Sequence, residues 1–171
     1  MFCSKPFEWL EITPNGTAYV CCPSWLSKPI GNVNEKNTLE IWNSEAAKDI
    51  RTSILDGSFK YCNNCPYLHN KNGPVCDQPS DHYFIDIVQN KRTIIDNPRW
   101  LNLAYDQSCN LACPSCRTEF IQIHDKKYDD TKKLQDRLLE ELKNKLEWLY
   151  ITGSGDPFGS RLFRELLCSM K

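Results

Sequence analysis

The chain is poor in glycine, histidine and methionine, which number 7, 3 and 2 among 171 residues, and it carries almost no net charge. So few glycines exclude a collagen-like repeat, which needs glycine at every third position. A balance of 21 Lys+Arg against 22 Asp+Glu leaves no basic field to hold a nucleic-acid backbone. No apolar run approaches the roughly 18 residues of a membrane span, so no membrane partner is expected. Met1-Phe2-Cys3 leaves no room for a signal peptide before the first cysteine, and the expected location is the cytoplasm. No internal repeat or low-complexity tract points to a solenoid. The histidines His69, His82 and His124 stand at no metal-like spacing to one another and read as surface or loop residues.

The chain has 10 cysteines in a composition that is 40% hydrophobic and 25% charged, which is that of a folded protein. In a reducing compartment, clustered cysteines more often bind metal than pair with each other. Their positions divide the chain into a first region (1–80), a connector (81–99) and a second region (100–171).

In the first region, Glu8 to Ile12 and Thr17 to Val20 read as short strands around Pro14-Asn15-Gly16, because Asn-Gly between apolar runs is a strong hairpin signal. Thr38 is the expected N-cap of a helical turn over Leu39 to Trp42. Ser44 caps a longer helix to about Leu55, with Ala47, Ile50 and Ile54 on one apolar face. Cys62 and Cys65 follow in a loop. The second region reads as β-α-β-α: Leu101, Leu103 and Tyr105 alternate as a strand, Lys132 to Asn144 is a helix, Glu147 to Thr152 a strand, and Ser160 to Met170 a helix. The charge run from Asp125 to Lys133 is expected to be a solvated loop and helix start. Cys168, within the apolar pattern of the last helix, is expected to be buried.

Cys109-Asn-Leu-Ala-Cys113-Pro-Ser-Cys116 is a CxxxCxxC between a strand and a helix. Three thiolates on a cubic 4Fe-4S cluster leave one iron open to a substrate or cofactor. Placed after a first strand, the motif resembles that of the radical S-adenosyl-L-methionine (SAM) superfamily. A second segment, Gly153-Ser154-Gly155-Asp156-Pro157, stands at the end of the next strand and is similar to that family's Gly-Gly-Glu-Pro, with Ser154 for the first Gly and Asp156 for Glu. The resemblance implies that Gly153, Ser154, Gly155 and Asp156 hold the methionyl end of SAM, and that Cys109, Cys113 and Cys116 ligate the cluster. Ser115 stands where the family has an aromatic residue.

The first region resembles the SPASM and Twitch auxiliary-cluster domains. Cys3, twelve residues, Gly16, four residues and Cys21 match their opening, and Cys62-Asn-Asn-Cys65 supplies their later CxxC. Lys71 stands where a full SPASM domain continues its cysteine pattern, so the single-cluster Twitch form fits better. Cys3, Cys21, Cys62 and Cys65 are the implied ligands, with Cys3 and Cys21 expected at neighbouring ends of the hairpin; Cys22 and Cys76 remain ambiguous.

The implied fold is a small α+β iron-sulfur domain followed by α/β, the first two βα units of a partial (β/α)6 radical SAM barrel. The chain reads as the N-terminal part of a longer enzyme, an oxidoreductase with two 4Fe-4S clusters and SAM. By resemblance it cleaves SAM to a 5'-deoxyadenosyl radical that abstracts hydrogen, with a peptide or protein as substrate and a reductase or a flavodoxin- or ferredoxin-type protein as electron donor. No side chain is assigned as catalytic. The alternative is a non-catalytic scaffold or interaction protein with zinc on the same cysteines. A four-cysteine zinc site suits the first region, whereas Cys109, Cys113 and Cys116 lack a nearby fourth ligand.

Overall fold

The computed structural model describes residues 1–63, 65–70, 73–151 and 155–170. The chain opens with β1 (Phe2–Cys3) and a one-turn helix α1 (Lys5–Glu8), then forms the hairpin strands β2 (Trp9–Ile12) and β3 (Thr17–Tyr19). Gly16 makes the hairpin turn at φ +76°, a conformation that side chains resist, and its N–H donates to Thr13 O at 2.8 Å. A short third strand, β4 (Gly31–Asn32), pairs with β3 before α2 (Thr38–Trp42) and α3 (Glu45–Leu55). Next come α4 (Pro66–Asn70), β5 (Val75–Cys76), α5 (His82–Gln89), β6 (Trp100–Leu103), α6 (Asp125–Glu141), β7 (Trp148–Tyr150) and α7 (Arg161–Ser169). Among the described residues, no helix is long and apolar enough to cross a membrane.

The two regions share one sheet. Its order is β4-β3-β2-β6-β7, antiparallel through the hairpin and parallel from β2 onward, with Trp9 beside Trp100 and Trp100 beside Trp148. The hairpin is therefore an extension of the second region's sheet, and the boundary near residue 80 does not separate two sheets. The strand expected to open a barrel, β6, has a neighbour on each side; what is seen is a mixed α+β sheet with the β-α-β-α order of the second region intact.

Pleating puts alternate residues on opposite faces. Leu10, Ile12, Leu101 and Leu103 are fully buried and join one core with Ile50 and Ile54 of α3, Ile87 of α5, Leu138 of α6 and Leu162 of α7. The opposite face carries Trp9, Glu11, Trp100, Asn102 and Tyr150. Trp9 and Tyr150 pack across β6 with ring centroids 5.0 Å apart, and Lys5 Nζ lies 3.8 Å from the Trp9 centroid and 4.6 Å from that of Trp100.

Several local expectations are corrected. Asn37, not Thr38, caps α2: its Oδ1 accepts from Glu40 N at 2.9 Å and Glu40 reaches back to Asn37 N, a capping box, while Thr38 is buried in the first turn. Helix α6 begins at Asp125, so the charge run is helical; Asp125, in its first turn, complements the positive end of its dipole. The connector holds α5, capped by Asp81 through Tyr83 N at 2.9 Å. Cys168 is exposed, because Leu162, Phe163 and Leu166 take the core-facing stripe of α7.

Arg51 of α3 is fully buried, and among the described residues no carboxylate pairs with it. Its Nε donates to Pro6 O at 2.9 Å and its Nη1 to Asn43 Oδ1 and Thr93 O at 3.0 and 2.9 Å, with the guanidinium 4.3 Å from the Trp42 ring. Burial pulls its pKa down to about 9, so it is still charged at neutral pH. It ties α1, the α2–α3 junction and the segment after α5 into one unit.

Candidate metal centre

Cys3 sits on β1 opposite Val75 and is not an end of the hairpin, contrary to the expectation; the β1–β5 ladder, extended by Ser4 N to Pro74 O at 3.0 Å, delivers it instead. Cys21 follows β3. Cys62 and Cys65 flank a turn in which Cys62 N donates to Phe59 O at 2.9 Å and Cys65 N to Cys62 O at 3.5 Å, leading into α4.

These four thiols lie close enough to feel one another. Burial pushes the Cys3 thiol far up, the Lys5 backbone N–H acts the other way, and Cys21, Cys62 and Cys65 add to the rise. Cys21 is pushed up to about 12 by burial, against the Cys22 N–H and with further help from Cys62 and Cys65; Cys62 is pushed up to about 11 by burial and then by Cys65. Cys3, Cys21 and Cys62 thus stay protonated unaided, and a metal supplies the charge that makes thiolates stable there. Cys76 faces Phe2 in the ladder, one residue out of step with Cys3, so alternation turns it to the other side. Cys22 adjoins Cys21 in sequence and adds to the rise of the Cys21 thiol.

The second set is built differently. Past β6 the chain makes a loop pinned at its neck, where Cys109 N donates to Ile121 O at 2.8 Å and Ile123 N to Ser108 Oγ at 3.0 Å. Buried Asp106 braces the neck: Oδ1 accepts from Ser108 N at 2.8 Å and Oδ2 from Ser160 Oγ at 2.6 Å, while Ser160 Oγ caps α7 through Phe163 N at 3.0 Å. Cys109 is buried, and Cys113 and Cys116 are exposed at a turn closed by Cys116 N to Cys113 O at 2.8 Å. Asp106, Ser108, Ser160 and Arg117 escaped the sequence reading, since one acid and two serines in loops carry no recognisable spacing. Arg117 follows the third cysteine and could have been noted on that ground.

The Gly-Ser-Gly-Asp segment comes to the same place. Gly153 and Ser154 lie outside the described residues. Asp156 N donates to Ser108 O at 2.9 Å, and a Cβ on Gly155 would stand 2.5 Å from Ser108 O and 2.9 Å from Asp106 O. A Cβ on Gly159 would meet Asn110 N at 2.9 Å and Cys109 Cα at 3.2 Å. The turn is thus seated on the backbone that carries Cys109, and the Asp156 carboxylate is held by Phe158 N at 3.0 Å. Gly155→Ala should cost about 1–3 kcal/mol, because carbonyls and not a flexible side chain must give way; urea unfolding measures it, and an unchanged midpoint would contradict the close packing.

The sets lie at opposite ends of the sheet. Tyr19 pairs with Glu11, so Cys21 continues toward the start of β2, whereas Cys109 lies beyond the end of β6. The four-residue strands alone separate these ends by about 10 Å. Among the described residues, no group of three or more His, Cys, Asp or Glu side chains is arranged to hold a single metal ion. A cubic cluster asks for a wider set, because each thiolate binds its own iron.

Residues 3–66 match the family model of the SPASM iron-sulfur cluster-binding domain, a little over a third of the chain. The matched span encloses Cys3, Cys21, Cys62 and Cys65 and ends before Cys76. No curated protein and no solved structure matches the chain. The match supports iron-sulfur cluster binding by the first region.

Proposed function

We propose that the chain belongs to a radical SAM enzyme, with an auxiliary iron-sulfur cluster on Cys3, Cys21, Cys62 and Cys65 and a SAM-binding cluster on Cys109, Cys113 and Cys116. The observation that carries the reading is the turn at Gly155–Gly159 seated on the Cys109 backbone, which sets Asp156 beside a loop whose other two cysteines face solvent. When bound, the cluster and SAM supply one-electron cleavage of the sulfonium bond and hydrogen abstraction from substrate.

The protein's part is positioning. The Cys109–Ile121 bridge and the Asp106–Ser160 pair hold the neck of the loop, and close packing at Gly155 brings a carboxylate acceptor to its edge. The sheet face of Trp9, Trp100 and Tyr150 runs between the two cysteine sets and offers a substrate an aromatic surface. A peptide or protein substrate and a reductase or a flavodoxin- or ferredoxin-type electron donor complete the reading; they rest on the likeness of the cysteine motifs alone.

Asp156→Ala should weaken SAM binding by about 1–3 kcal/mol through loss of a charge-assisted contact to the methionyl ammonium. Asp156→Asn, which keeps an acceptor for Phe158 N, separates that charge from the turn and should weaken binding nearly as much. Titration with SAM, followed by electron paramagnetic resonance of the dithionite-reduced protein, measures both. The signal of the Cys109 set should respond and the other should not. A response confined to the Cys3 set reverses the assignment, and a colourless protein that assembles zinc without sulfide returns the scaffold reading.

A further inference from the structure

Arg117 is held by the cysteine loop itself. Nη1 donates to Gln107 O at 2.9 Å, and Nη2 lies 3.6 Å from Cys116 Sγ, a hydrogen-bond distance for sulfur. Because the guanidinium is a rigid plane, anchoring one nitrogen on the carbonyl aims the other at the thiol. The cation is thus directed at the third cysteine of the set.

We propose that Arg117 tunes the reduction potential of the centre held by Cys109, Cys113 and Cys116, keeping it higher than a neutral residue would. The inference rests on the reading that these three cysteines hold an iron-sulfur cluster. Reduction moves one electron from a donor onto the cluster, whose thiolates already make it anionic. An N–H donated to a thiolate sulfur, together with a nearby positive charge, offsets the added negative charge and favours the reduced form. The site is at the protein surface, where water screens charge, so the direct hydrogen bond matters more than the longer-range attraction.

The test is a dithionite titration of the anaerobically reconstituted full chain, followed by electron paramagnetic resonance, for the parent, Arg117→Gln and Arg117→Lys. At the potential that half-reduces this centre in the parent, the Gln variant should show a reduced-to-oxidised ratio about tenfold lower, or about 59 mV for one electron. Lys keeps the charge without the fork and should recover part of the shift. The Cys3/Cys21/Cys62/Cys65 centre, at the other end of the sheet, should keep its midpoint and serves as the internal reference. A Gln variant with the parent's midpoint overturns the proposal, as does an equal shift at both centres. Loss of the centre's iron from both variants also overturns it, since Arg117 would then be needed to build the loop through Gln107. If the parent itself assembles no cluster on these cysteines, the proposed function fails first and this inference with it.

Discussion

Changing Cys109, Cys113 and Cys116 together to alanine should leave about four of about eight irons per chain after anaerobic reconstitution, and 5'-deoxyadenosine formation under dithionite should fall to background. Half the metal is retained because the sets are built on different supports. Cys3 is delivered by the β1–β5 ladder and Cys62 and Cys65 by the turn before α4, and among the described residues no backbone hydrogen bond joins these to the loop after β6. The fold should survive: Cys113 and Cys116 are exposed, and alanine at Cys109 retains the backbone bond to Ile121. Thermal unfolding of the metal-free variant should therefore stay within a few degrees of the metal-free parent. Loss of all iron from the triple variant would show that the two sets are not independent, and retention of all eight would remove these cysteines from metal binding.

Arg51→Leu should destabilise the chain by about 3 kcal/mol, which for a chain of this length lowers the midpoint of thermal unfolding by roughly 10 °C. The change strands two acceptors, Pro6 O and Thr93 O, leaves Asn43 Oδ1 with Ile95 N as its remaining donor at 3.0 Å, and removes the stacking of the cation on Trp42. Each stranded acceptor costs about 1–3 kcal/mol, though not additively, and loss of the cation–π contact adds about 2 kcal/mol. Relief of a buried charge with no carboxylate partner among the described residues acts the other way and sets the net below the sum. Arg51→Lys keeps the charge but not the fork, so its loss should be intermediate. Since Pro6 lies three residues from Cys3, the Leu variant should also lose iron from the first set before the second. A Leu variant as stable as the parent would mean that the buried guanidinium contributes nothing net.

Where a fold element depends on neighbours in sequence, the residues alone disclosed it. The Asn15-Gly16 turn, the Ser44 cap and the α3 stripe of Ala47, Ile50 and Ile54 are all where local chemistry puts them. The cap of α2 was misplaced by one residue because Asn37 and Thr38 are both good caps, and only the reach of Glu40 back to Asn37 decides between them. The start of α6 was missed by seven residues because its first two turns are charged on nearly every side and give no apolar period. Cys168 was misjudged because the apolar stripe of α7 is narrower than its apolar content.

The candidate sites divide the same way. Spacing alone singled out Cys109, Cys113 and Cys116 and paired Cys62 with Cys65, because short loops force their cysteines together whatever the rest of the chain does. Spacing could not say that Cys3 reaches its partners from a separate ladder, that Cys76 turns away, or that Asp106 and Ser160 brace the neck of the second loop from 54 residues apart. Nor could it say that the hairpin pairs with β6 across some ninety residues to make one sheet with a cysteine set at either end. The sequence by itself determined the close spacing within Cys62/Cys65 and within Cys109/Cys113/Cys116, the hairpin and the helices α3, α6 and α7, since those follow from contacts a few residues long; α1, α4 and α5 carry no such signal. The placement of the two sets, and the seating of Gly155 against Ser108, were decided only by tertiary structure, because closing long loops costs entropy that is recovered only when sheet and core form together.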